Sequence, residues 1–460
     1  MTSLSRRPGT LTGRVVCPDD ADYAAASAGF NLLYINRPAA IVFARETTDV
    51  VNALTWAQQH GVPVRVRSGR HCLEGWSTVD DGLVIDVSEM KSAAIDAEPR
   101  RATVGAGLNQ SEAVATLGRA GFAAPTGTEG SVGLVGATLG GGFGLLTRAF
   151  GMACDNLAAA EIVIASEGGG AEVIVADETH HPDLLWALRG AGNGNFGVVT
   201  SMTYSIHPLT QTIYLVARWP GLDDLPEVFG AWQACAPFAD HRLTSQLEIR
   251  RDEIAMISVL ASGSEAEALG MLAPILAVGT PRVKATDAAW ADIFAGFQIP
   301  LDEEPANWKF LSQFMTDPFP AEALQLIGAY MSAAPTPACN YFTNALRGAV
   351  TTEPRGGAAY AHRDALFYAE PGAGWGVRGG APQPGDPLTE RCLNWIADFG
   401  EALQPFINGA YTNVPNAGMP DWENAYWGTS VERLRAVKAK YDPENIFRFE
   451  QSISSAKSTS

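Results

Sequence analysis

At 460 residues, 47% of them hydrophobic and 18% charged, the chain is long enough for two domains and apolar enough to bury a large core, which excludes a disordered protein. Its 32 Lys+Arg against 50 Asp+Glu give a net charge of −18, with no basic run to follow a phosphate backbone, which argues against a nucleic-acid partner. Six cysteines without a CxxC pair argue against zinc and a disulfide framework, and no apolar run reaches the roughly 18 residues of a membrane span. The N-terminal MTSLSRRPGTLTGR has no apolar stretch after its arginines, so a cytoplasmic protein with reduced thiols is expected.

Residues 47–60 place Val50, Leu54 and Ala57 on one helical face, with Thr47 or Thr48 as cap and Gly61 as stop. The alternation of Val62, Val64 and Val66 then predicts a strand that opens into a loop at Ser68-Gly69. Strands are expected over 82–88 and 101–107, followed by a helix capped by Ser111 and stopped by Gly121. From 125 to 151 glycine is so dense that the backbone is expected to lie close to something else. Strands at 159–166 and 172–177, a helix over 181–189, a glycine loop at 190–197 and a strand from Gly197 carry the first region to Pro208.

The middle region, 208–409, has strand-like segments near 247–251 and 255–263 before a helix over 264–276. That order suits an antiparallel sheet covered by helices, and so an α+β domain. Proline and glycine crowd 370–387, which reads as an exposed loop. Residues 430–447 read as a helix closed by Asp442-Pro443.

Three loops carry candidate chemistry. In RVRSGRHCLEGWS (65–77) a strand opens into Arg67-Ser68-Gly69-Arg70-His71, whose backbone donors, hydroxyl and guanidinium groups suit a pyrophosphate; a surface loop with a stray histidine is the alternative. The glycine tract 127–144 would let backbone lie against a planar or phosphorylated ligand, or would simply be a tight loop. GAGNGNFG (190–197) follows a helix and opens a strand, the reverse of the dinucleotide fingerprint, so a Rossmann reading is rejected. No GxSxG or HExxH segment is present, and His180-His181 read as surface residues rather than metal ligands.

Taken in order, these loops resemble the FAD-linked oxidases of the berberine-bridge-enzyme-like group, within the vanillyl-alcohol oxidase superfamily. The frame PTGTEGSVGLVGATLGGGFGLLTRAFGMACDN at 125–156, NFGVVT at 195–200, YTNVPN at 411–416, DWENAYWG at 421–428 and VKAKYDPENIFRFEQSI at 437–453 extend the likeness over most of the chain. The pattern is that of singly histidine-linked members, among them oxidases of hydroxynicotine and antibiotic-tailoring oxidases.

The resemblance implies an α+β, PCMH-type FAD-binding fold in which residues 1–207 and 410–460 hold FAD and 208–409 form the substrate domain. It implies 8α-histidyl attachment of FAD through His71. Arg67, Ser68, Gly69, Arg70 and Ser77 match the family's first flavin loop, with Arg70 in place of its second glycine. Thr126, Gly127, Glu129, Val132, Gly133, Gly136 and Gly142 match the second loop, and Asn195, Gly197 and Val199 the third. Glu129 stands where relatives carry a second, cysteine anchor, so a single covalent bond is expected.

A small residue at Val132, the position that gates oxygen in relatives, implies an oxidase using O2. Tyr411 matches the family's catalytic base, with Asn413 beside it in an extended segment and Arg347, His362 or Arg363 as candidate helpers in ionising the phenol. The implied reaction moves a hydride from a C–OH or C–N carbon of a small metabolite to flavin N5. Tyr341, Phe342 and Tyr368 suit an aromatic or polycyclic substrate or are core residues. A carbohydrate oxidase, an oxidative cyclase and a flavin-binding protein without turnover are the alternatives. A monomer or homodimer is expected, with no metal.

Overall fold

The computed structural model describes residues 11–380 and 386–455; the expectations for residues 1–10, and for 381–385 of the Pro/Gly-rich segment, lie outside them. The helix Thr47–His60 forms as its periodicity predicts and stops at Gly61 in the left-handed conformation (φ 62°). Its cap is Glu46 rather than a threonine, because the Asp49 carboxylate accepts the N–H groups of Arg45 (2.9 Å) and Glu46 (3.3 Å), satisfying donors that a helix start leaves open. The helix Gln110–Arg119 likewise starts before Ser111: Asn109 is the cap, its side chain accepting from the Glu112 N–H at 2.8 Å. Within the glycine tract a six-residue helix, Leu134–Leu139, forms behind Gly133.

Two small sheets build the first half. Ala40–Phe43, Leu83–Asp86 and Val64–Arg67 run parallel, with Arg14–Val16 antiparallel at the edge. The other sheet is antiparallel, in the order Ala93–Asp96, Arg101–Gly105, Val198–Ser205, Leu157–Ser166, Gly170–Ala176. Their shared core takes residues from Ala40 to Ile206 and then Ala410 and Tyr426 to Ile453, so the chain end returns to its first half. The helix Val431–Tyr441 anchors that return through a buried ammonium. Lys438 Nζ donates to Asp442 Oδ2 (2.7 Å) and to the carbonyls of Asn195 (2.6 Å) and Phe447 (2.5 Å), so the buried charge is fully paired.

The second core, from Ile213 to Leu403, belongs to an eight-stranded antiparallel sheet. Its order is Arg282–Ala288, Thr212–Pro220, Glu253–Leu260, Leu243–Ile249, Asn340–Ala345, Phe367–Trp375 and Asn307–Phe310, with Gln313–Met315 also on Phe367–Trp375. Helices Leu225–Cys235, Glu265–Leu276, Ala321–Ser332 and Pro387–Leu403 cover one face. Side chains alternate across a strand: Leu247, Ile249, Tyr341, Phe367 and Ala369 enter this core, while Gln246, Glu248, Phe342, Tyr368 and Glu370 point to the opposite face, toward a cavity.

Phe367–Trp375 corrects the loop expected from residue 370. Pro371 is tolerated because the neighbouring edge is split there: Asn307–Phe310 pairs with 372–375 and Gln313–Met315 with 367–369, so no ladder donor is required of it on that side. Its glycines make room for rings. A Cβ on Gly372 would stand 2.6 Å from Phe310, and one on Gly374 2.7 Å from Trp308.

Candidate active site

A cavity of about 730 Å³ lies between the glycine loops and the uncovered face of the large sheet. The strand Val64–Arg67 delivers the first loop to it, and Arg67, Ser68, Gly69, Arg70, His71 and Ser77 all line it. The two guanidinium groups, however, turn away from the ligand space. Arg67 Nε pairs with the fully buried Asp86 at 2.6 Å and Nη2 donates to the Ala26 carbonyl, while Arg70 Nη1 donates to the Ala25 carbonyl at 2.9 Å. The backbone remains: among the described residues the N–H groups of Gly69, Arg70 and His71 donate no hydrogen bond, and Arg70 is left-handed (φ 64°). Successive N–H groups in such a turn form a concave anion site.

The second loop meets the first backbone to backbone, since a Cβ on Gly69 would stand 2.1 Å from the Gly133 nitrogen. Gly127, Glu129, Val132, Gly133, Gly136 and Gly142 line the cavity, and a Cβ on Gly136 would meet no atom within 4 Å beyond its own helix backbone and chain neighbours. Gly197 and Val199 line it too. Two expected residues do not. Thr126 is buried behind the loop, and Asn195 fastens the chain end, its side chain accepting from the Ile453 N–H at 2.9 Å and donating to the Ala191 carbonyl.

His71 faces the cavity with its ring stacked on Phe30 at 4.1 Å. Its Nε2 lies 2.8 Å from Ser131 Oγ, which is 2.7 Å from Glu129 Oε1. Burial, reinforced by the charge of Arg378, pushes the imidazole down to about 3, so it is neutral. Cys72 also lines the cavity, but burial raises its thiol and disfavours the reactive thiolate.

Across the cavity, Tyr411 and Asn413 meet through a turn rather than an extended segment. The Tyr411 hydroxyl accepts from the Gly142 N–H and from Asn413 Nδ2, both at 2.7 Å. Asn413 is itself fixed by the Ala137 carbonyl (2.8 Å) and Asn193 Nδ2 (2.7 Å). None of the suggested helpers lines the cavity. His362 stacks on Phe314 at 4.0 Å and is pushed down to about 4 by burial. Arg363 is committed to Asp155 by bonds of 2.6 and 2.7 Å, and Arg347 lies over Phe238. Tyr341 is a core residue bonded to Gln313, whereas Phe342 and Tyr368 face the ligand space.

One residue escaped the sequence reading. Glu370 stands half-buried in the cavity wall, accepts from the Tyr368 hydroxyl at 2.5 Å, and is raised to about 7 by desolvation there. Its signal was the period-two alternation with Tyr368, hidden by the Pro-Gly that follows.

The donor set fits a large, polar, partly planar cofactor. Gln110 Oε1, Asn193 Oδ1, Asn340 Oδ1 and Trp308 Nε1 are buried in residues lining this cavity and have no hydrogen-bond partner among the described residues, a cost that a ligand would relieve. Residues 38–169 match the FAD binding domain and residues 410–454 the berberine and berberine-like domain. The FAD-linked oxidoreductase YgaK of Bacillus subtilis is 39% identical over 96% of this chain and 97% of its own length. The (R)-6-hydroxynicotine oxidase of Paenarthrobacter nicotinovorans is 35% identical over 45% of this chain and 44% of its own. In fold, the chain is similar to the BBE-like 1 structure of Physcomitrella patens, with a TM-score of 0.88, 24% identity and coverage of 97% and 98%. No helix among the described residues is long and apolar enough to cross a membrane. With the α+β PCMH-type fold in place and FAD as its cofactor, the chain belongs to the FAD-linked oxidoreductases of the berberine-bridge-enzyme-like group.

Proposed function

We propose that the chain is an FAD-dependent oxidase of a small aromatic or polycyclic metabolite, acting at a C–OH or C–N carbon, with FAD attached to His71. The observation that carries this reading is the hydrogen-bonded Glu370–Tyr368 pair standing beside Tyr411, in the same cavity as His71 and the glycine loops. We read the two cores as the two domains, 1–207 with 410–460 around FAD and 208–409 over the substrate. Aromatic side chains on the sheet face, Trp308, Phe310, Phe342 and Tyr368, supply flat apolar surface, while Asn340 Oδ1 and Trp308 Nε1 offer one acceptor and one donor to orient a ligand.

FAD, when bound, would supply the two-electron acceptor for the hydride of the substrate carbon, with O2 as the final acceptor. The accompanying O–H or N–H proton goes to Glu370, whose position near 7 matches a base at neutral pH. Tyr368 holds Oε2, which leaves Oε1 for that proton. Tyr411 has both lone pairs engaged by Gly142 and Asn413 and its phenol is raised by burial, so it stays protonated and donates to the substrate rather than serving as the base. The small Val132 in the second loop supports access of O2.

Mixing candidate aromatic alcohols and amines anaerobically should bleach the flavin, and admitting air should restore its colour with one H2O2 per turnover. Glu370→Gln should slow bleaching by about 10²-fold or more, with little change in binding. If Tyr411→Phe abolishes bleaching while Glu370→Gln leaves it intact, the base is Tyr411.

A further inference from the structure

We propose that Glu129, acting through Ser131, is a positioning residue for flavin attachment. It holds His71 as the Nε2–H tautomer, leaves the Nδ1 lone pair as the nucleophile, and receives the Nε2 proton as the bond to the 8α carbon forms. The inference rests on the proposed covalent link through His71 and adds the residues that make it form.

Hydrogen-bond direction sets the tautomer. Glu129 Oε1 is 2.7 Å from Ser131 Oγ and 3.1 Å from the Ser131 N–H, and a carboxylate offers only lone pairs. The single Ser131 hydroxyl proton therefore points at Glu129. Ser131 Oγ then has only lone pairs left for His71 Nε2 at 2.8 Å, so Nε2 carries the proton. A neutral imidazole with its proton on Nε2 has its lone pair on Nδ1, and no hydrogen bond reaches Nδ1 among the described residues. The Phe30 ring stacked at 4.1 Å fixes the imidazole plane. On Glu129's own side, the Ser131 N–H and hydroxyl both hold its carboxylate toward the relay.

The 8α methyl loses a proton to solvent while the C–H electron pair stays in the isoalloxazine, His71 Nδ1 forms the new N–C bond at that carbon, and dioxygen then removes the electron pair and, with two protons equal in number to those lost from the 8α carbon and from Nε2, leaves as H2O2. Alkylating Nδ1 would leave a cationic imidazolium unless the Nε2 proton departs. Burial and the nearby Arg378 charge disfavour that cation, and Ser131 relays the proton to Glu129. A second anchor is thus replaced by a residue that serves the first.

The test uses flavin-free full-length chain supplied with FAD. The flavin that stays with acid-precipitated protein is followed in time, and total bound flavin is measured natively. Glu129→Ala and Ser131→Ala should still take up FAD but, per bound FAD, form the acid-stable link about 10²-fold more slowly, with Glu129→Asp partly restoring the rate. Nitrogen NMR of His71 in the flavin-free chain should show the Nε2–H tautomer, lost as the sole form in Ser131→Ala. Linkage at the unaltered rate in both alanine variants, or an Nδ1–H tautomer in the unaltered chain, overturns the proposal while the His71 link stands. Release of all flavin by the unaltered chain overturns the covalent reading itself and this proposal with it.

Discussion

At the scale of single residues, the site contains a group whose chemistry opposes folding. Glu370 is raised to about 7 by burial, against about 4.3 in an unfolded chain. The folded state therefore binds a proton that the unfolded state releases, so its contribution to stability is fully present below about pH 4 and is lost as pH rises through about 7. The difference amounts to about 4 kcal/mol at alkaline pH. Glu370→Gln should remove that slope: thermal melts at about pH 8 should show the variant more stable than the parent, and melts at about pH 4 should show little difference. A parent stability that does not fall between these pH values would refute the raised carboxyl. His71 was legible in the sequence because its loop follows an alternating strand. Glu370 was not, because Pro371-Gly372 disguised a buried strand whose alternation depends on a split neighbouring edge that no local pattern reveals.

At the scale of elements, the glycine loops show why composition pointed to a ligand without saying which glycines face it. Gly69 and Gly133 are required by the protein, since their backbones touch, and Gly197 by the sheet, where a Cβ would stand 2.5 Å from the Val163 carbonyl. Gly136 is different: it lies in the helix Leu134–Leu139, and a Cβ there meets only empty cavity. Gly69→Ala should lower the stability of the flavin-free chain by about 1–3 kcal/mol through forced backbone movement. Gly136→Ala should leave that stability equal or raise it by about 1 kcal/mol, helix glycine being costly, yet reduce flavin occupancy measured by absorbance. Equal flavin occupancy in Gly136→Ala and the parent would mean that the cofactor does not lie over this helix. The Arg67 and Arg70 side chains could not be placed from sequence, because their partners, Asp86 and the carbonyls of Ala25 and Ala26, lie on other elements.

At the scale of the molecule, two cores were legible in the change from mixed short elements to strand-then-helix order, but the contact between them was not. It depends on residues far apart in sequence: Tyr411, Tyr360, Phe314 and Met152 share one apolar cluster. Beside it the buried Arg148, on the short helix Thr147–Phe150, has no carboxylate partner among the described residues. Its guanidinium instead donates to the carbonyls of Leu346 (2.9 Å), Asp240 (3.1 Å), Pro237 (3.0 Å), Ala239 (2.7 Å) and Leu243, all on the substrate side. A cation shared among five carbonyls ties the second glycine loop to the large sheet, and removing it would take a donor from the carbonyls of the buried Pro237, Leu243 and Leu346. Arg148→Met should therefore cost about 3–5 kcal/mol and weaken the coupling between the cores more than either core alone. Calorimetry of the flavin-free chain should show the parent's transition separating into two, the large-sheet core melting first. A single transition at the parent's temperature would mean that the apolar cluster suffices to hold the sheet over the flavin loops, and that Arg148 only fills space between them.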